Sequence, residues 1–123
     1  MNKYILVIVL FVSAACGRHK QSNLEISTYT YDFGKIQKDT IYQGAVIIKN
    51  TGTDTLKIEK ILADCGCTIA FSSKIVVLPG DTSLMKFSFN SHNKLGNQEN
   101  YITILANTDT LVHLLQVISV VTE

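Results

Sequence analysis

The chain has 123 residues, 46% of them hydrophobic and 17% charged, with a formal net charge of +1. That length allows one domain, and that balance describes a packed globule rather than a disordered chain. A near-neutral chain gives no electrostatic reason to expect nucleic acid or an anionic lipid surface as a partner.

The N-terminus is set apart from the rest. Lys3 supplies a positive charge, Tyr4 to Val12 form an unbroken apolar run, and Ser13-Ala14-Ala15 supply small residues before Cys16. This is the pattern of a cleavable export signal over residues 1–15, and the run is shorter than the roughly 20 apolar residues a spanning helix needs. Ser13-Ala14-Ala15-Cys16 resembles the lipobox of bacterial lipoproteins, with Ser13 where that pattern usually has leucine. The resemblance implies that Cys16 becomes the first mature residue and carries a lipid, so that a membrane of the cell envelope is the partner of this end. Loss of Lys3 leaves basic and acidic residues equal in number, so lipid rather than charge is the expected anchor. Residues 16–23 are polar and read as a flexible tether. Gly17-Arg18-His19-Lys20 is basic, lacking the acidic residues that mark some surface-exported lipoproteins, which points to the periplasmic side.

From Leu24 onward short alternating runs are separated by turn residues, with no helical period of useful length. Leu24 to Phe33 reads as a first strand ended by Gly34. Ile41 to Asn50 reads as a second, closed by the turn residues Asn50-Thr51-Gly52-Thr53-Asp54. Thr55 to Leu62 makes a third, leading into Asp64-Cys65-Gly66-Cys67-Thr68. Brief runs follow at Ile69 to Phe71 and Ile75 to Leu78, and Pro79-Gly80 suits the centre of a type II turn. Met85, Phe87 and Phe89 alternate with polar residues. Asn90 to Gln98 reads as a polar connection, and Tyr101 to Ala106 and Leu111 to Val121 read as closing strands. About seven strands at turn spacings near ten predict an all-β, immunoglobulin-like β-sandwich over residues 24–123. Tryptophan is absent and the cysteines are nearly adjacent, so an inter-sheet bridge of the antibody type is not expected.

Cys65 and Cys67 are the candidate site. In an extended strand, residues two apart lie about 6.6 Å apart at Cα, whereas a disulfide prefers roughly 5.5–6 Å, so a bridge requires the bend that Gly66 permits. Three roles stay open: inert packing under a turn with or without a bridge, thiol redox chemistry, and soft-metal binding of Cu(I) or Zn by a thiolate pair. Zinc would need two further ligands, and no second CxC, CxxC or HxxxH occurs. His19 falls in the tether, His92 in a polar connection and His113 within a strand. No GxSxG, P-loop, HExxH or GxGxxG is present, so no catalytic residue is assigned. Asp39-Thr40-Ile41, Asp54-Thr55-Leu56 and Asp109-Thr110-Leu111 share an Asp-Thr-aliphatic pattern. It is similar to an O-glycosylation sequon of exported bacterial proteins, which marks Thr40, Thr55 and Thr110. The same pattern is also ordinary turn-to-strand chemistry.

Phe33-Gly34, the Asn50-Thr51-Gly52 turn, Leu56-x-Ile58, Cys65-Gly66-Cys67-Thr68, Leu78-Pro79-Gly80-Asp81 and Asn107 before the last strand together resemble the bacterial DUF1573 family. Val46 and Ile48 stand where that family often has phenylalanine. The resemblance implies an immunoglobulin-like, Hydin-related domain that is exported or lipid-anchored, and it carries over no catalytic residues and no resident cofactor. The expectation is a non-enzymatic, lipid-anchored binding or structural module of the cell envelope, with an unknown ligand and an envelope protein as candidate partner. The competing expectation is a thiol redox or soft-metal protein using Cys65 and Cys67.

Overall fold

The computed structural model describes residues 20–123; the expected export signal over residues 1–15, Cys16 and His19 lie outside them. Among the described residues there are nine strands: β1 Leu24–Ile26, β2 Thr30–Gln37, β3 Ile41–Asn50, β4 Leu56–Ala63, β5 Thr68–Ser72, β6 Val76–Val77, β7 Thr82–Asn90, β8 Gly96–Ala106 and β9 Val112–Thr122. They form a four-stranded sheet in the order β1-β3-β7-β5 and a five-stranded sheet in the order β2-β9-β8-β4-β6. All pairings are antiparallel except β2 with β9.

Inward residues follow the two-residue period of a strand. Val46, Ile48, Met85 and Phe87 from the first sheet meet Leu56, Ile58, Ile102, Ile104, Leu115 and Val117 from the second in one continuous core. A smaller cluster of Ile36, Phe89 and Val121 closes one end. Phe33 bridges the two clusters and lies edge-on to Phe87 and stacked on Phe89, with ring centroids 6.0 and 6.5 Å away.

Three strand boundaries differ from the sequence reading. Leu24 to Phe33 is not one strand: β1 pairs with β3, whereas β2 runs beside β9 in the opposite sheet. The switch occurs where Ser27 N–H donates to Ile47 O and Thr28 Oγ1 donates to Thr30 O, which ends the first ladder and turns the chain. Nor does Gly34 end β2. It takes a φ of +71° at a bulge between Asp32 and Lys35, with its N–H on Asp32 Oδ1 at 2.7 Å, and pairing resumes beyond it. Similarly, β8 begins at Gly96, because the polar residues before Tyr101 pair with Val117 to Val121 of β9.

The ends of the sandwich differ. At the end where the chain enters, buried Asn50 donates to Asp54 O and Val77 O, at 2.7 and 2.9 Å, and accepts from Gly52 N and Asn23 N. Asn107 plays a matching part, accepting from Lys57 N and Ser22 Oγ and donating to Thr55 O. Gln21 to Asn23 belong to the segment read as tether, but they are docked here: Ser22 is buried, and Gln21 O accepts from Thr53 N at 2.8 Å. Leu78-Pro79-Gly80-Asp81 forms the expected type II turn, with Asp81 N–H on Leu78 O and φ +78° at Gly80. The far end holds the start of β3, the end of β7 and the link from β4 to β5.

Candidate functional site: the cysteine turn and the β5 edge

β4 lies in the five-stranded sheet and β5 in the four-stranded sheet, so Asp64 to Cys67 carry the chain between layers at the far end. Asp64 N–H donates to Tyr101 O, Thr68 N–H closes a turn onto Cys65 O at 3.1 Å, and Asn90 N–H donates to Cys67 O at 2.8 Å. The turn brings the Cα atoms of Cys65 and Cys67 to 5.1 Å, and the two are joined as a disulfide. The separation is shorter than in an extended strand because the chain bends through Gly66, which is exposed and has no neighbouring atom where a Cβ would point.

Both cysteines are half-buried, and Cys67 packs on the Ile36, Phe89 and Val121 cluster. In the bridged form neither sulfur is a thiolate, so nucleophilic chemistry or soft-metal binding requires the reduced pair. His92 is also at the far end, but its Nδ1 lies 2.9 Å from Asp39 Oδ1. The Asn93 amide holds the Asp39 carboxyl below its ordinary value, with His92 and Lys38 adding to the effect. His113 sits at the entry end, with Nε2 2.7 Å from Thr108 Oγ1, and burial lowers its pKa. Among the described residues no three His, Cys, Asp or Glu side chains gather as a metal site.

The three Asp-Thr positions do not share a surface. Thr40 is half-buried at the far end and donates from Oγ1 to Lys38 O. Thr55 is half-buried at the entry end, where its carbonyl accepts from Asn107. Thr110 is exposed in the β8–β9 connection.

A second feature begins where the cysteine turn ends. Among the described residues, β5 has β7 on one side and no strand on the other. Asn90 N–H to Cys67 O and Ser73 N–H to Leu84 O mark which residues face β7, so antiparallel alternation turns the backbone groups of Ala70 and Ser72 toward the open side. On the outer face Ile69 is 67% and Phe71 57% exposed. With Gln43, Ala45, Lys86 and Ser88 they line a groove of about 680 Å³. The uncharged run Thr68-Ile69-Ala70-Phe71-Ser72 was visible in the sequence, but its place at a sheet edge depends on strand order, which alternation does not encode.

A family model described as protein of unknown function, DUF1573, matches residues 24–121. A crystal structure of a protein of unknown function from Porphyromonas gingivalis W83 is similar, with TM-score 0.72 and 15% identity over 82% of this chain and 47% of that chain. The chain therefore spans about half the length of that protein. The ASH/PapD-like domain 7 of human CEP192 matches with TM-score 0.63 and 12% identity, covering 84% of this chain and 87% of that one. The YadV chaperone matches with TM-score 0.58 and 14% identity over 81% of this chain and 52% of its own. At such identities these likenesses show the fold, an immunoglobulin-like and PapD-like sandwich. No curated protein matches the sequence. Because the family match runs from the first residue of β1 to Val121 in β9, the chain belongs to the DUF1573 family.

Proposed function

We propose that the protein is a lipid-anchored binding module of the cell envelope, held by Cys16 on the periplasmic side and working without catalysis. The observation that carries this reading is the open β5 edge, where unpaired backbone groups lie beside exposed Ile69 and Phe71. Exposed apolar surface beside an open strand is a protein-binding feature, since such edges otherwise invite aggregation. The leader and its lipobox-like end support the anchor, and the docked entry end puts residue 20 on the side of the sandwich opposite β5's first residue. The test pairs anchoring with recognition. The full chain should partition into detergent and membranes, Cys16→Ser should shift it to the soluble fraction, and the soluble form should keep its partner. Retention of Cys16→Ser in membranes would overturn the anchor, and a partner lost with the lipid alone would overturn the binding role.

A second reading is thiol redox, favoured by the half-exposed Cys65–Cys67 disulfide on a short turn. In that case an incoming dithiol donates two electrons to the bridge, giving Cys65 and Cys67 thiols and an oxidised dithiol. Oxidation of one dithiol per bridge by wild type that disappears in Cys65→Ser would establish it.

A further inference from the structure

The four sheet edges are not alike. β1 has three residues and β6 two, too short to accept a strand. β2 is bulged at Gly34 and carries Asp32 and Lys35. Short length, bulges and charges are the devices that keep edges from pairing. β5 has none of them: its five residues include no charge, proline or glycine, and its register with β7 is unbroken. The stretch of β3 beyond its pairing with β1 is also uncharged, but its exposed Ile41 and Ile47 are separated by Gln43, Gly44 and Ala45, and the Ile47 backbone is already bonded to Ser27. Among the described residues, β5 alone combines free backbone groups with two large, exposed apolar side chains at successive outward positions.

We propose that β5 receives an extended segment of a partner protein, which adds a fifth strand to the four-stranded sheet and places a carboxylate near Lys86. This rests on the binding role above and names its site and occupant. Added strands gain backbone hydrogen bonds for affinity and alternate side chains for specificity. Here alternate apolar residues pack beside Ile69 and Phe71. Lys86 stands opposite Phe71 in the β5–β7 register, lines the same groove, and has no ion-pair partner among the described residues. Among the described residues no carboxylate lines that groove. The sign of the partner's charge follows.

A second copy of this chain is the obvious rival occupant, and the anchor argues against it. Two equivalent strands pair across a two-fold axis in antiparallel fashion, so the copies' entry ends would point in opposite directions. Residues 16–20 span at most about 14 Å, too short to lead both chains back to one membrane across sandwiches about 30 Å long.

The experiment places a photocrosslinking residue, p-benzoylphenylalanine, at Phe71 or Ile69 of the full-length chain in its native envelope. A control goes at Leu114, which is 49% exposed on the opposite sheet. Adducts are mapped by mass spectrometry, and circular dichroism checks the fold of each variant. The expected result is an adduct from Phe71 and Ile69 but not Leu114, to an extended, acid-containing segment. Lys86→Glu should lower its yield about fivefold, the effect of one surface ion pair, and Lys86→Arg should preserve it. Adducts to a second copy, or yields indifferent to Lys86→Glu, would overturn the proposal while leaving a binding module. Adducts from Leu114 alone would move the binding surface off β5. No adduct at any position would remove both the edge site and the binding role.

Discussion

Asn50 shows how one side chain can hold several segments together. The sequence marks it as a turn residue, and it does end β3, but its amide also ties the 51–54 turn, β6 and the entering chain. Those links join residues up to 27 positions apart, so local turn chemistry does not reveal them. Asn50→Ala should lower unfolding stability by about 4 kcal/mol, at roughly 1 kcal/mol for each lost hydrogen bond, measured by urea denaturation. His113 gives a pH signature of its own. Burial lowers its folded-state pKa below 6.5, so the unfolded chain binds the proton more readily. Its contribution is therefore intact above about pH 6.5 and is lost as the pH falls toward the lower folded value. The urea midpoint of wild type should drop between pH 7.5 and 5 by more than that of His113→Gln; equal drops would assign the acid sensitivity elsewhere.

At the scale of elements, alternation located nearly every strand because inward side chains repeat at every second position. Strand order and the split of the first strand were not legible, since β1 and β2 have similar patterns and differ only in which sheet they join. The bulge at Gly34 likewise reads as an ending when only local chemistry is considered. Gly52 was legible as a turn glycine but not as a contact. A Cβ there would lie 2.2 Å from Gln21 O and 2.6 Å from Asn23 N, so the entering segment packs directly on its backbone. Gly52→Ala should push residues 21–23 off the sandwich at a cost of about 1–3 kcal/mol, typical of overpacking. Faster amide exchange at Asn23 and Thr53 would report it, and unchanged exchange would refute the docking. The cysteine spacing was legible as chemistry, whereas its position between layers emerged only with the sheets.

For the whole molecule, the ordering of ends matters most. The chain enters beside Asn50 and Asn107, and the cysteine turn lies beyond the opposite ends of β3 and β7. A ten-residue strand is about 33 Å long, so a protein anchored at Cys16 should carry Gly66 roughly that far above its membrane. With vesicle-bound full-length protein, a fluorophore at Gly66 should escape quenching by labelled headgroups, whereas one at Thr53 should be quenched. The reverse pattern would invert the molecule.

The switch of the first segment between sheets also has a mechanical consequence. From Leu24 to Gln37 the chain runs lengthwise along the sandwich, first against β3 and then against β9, with ladder bonds lying across its path. Tension drawn through the N-terminus along that path loads these bonds together in shear rather than peeling them one at a time. The opening strands thus resist separation as a unit when the chain is pulled from its N-terminal side.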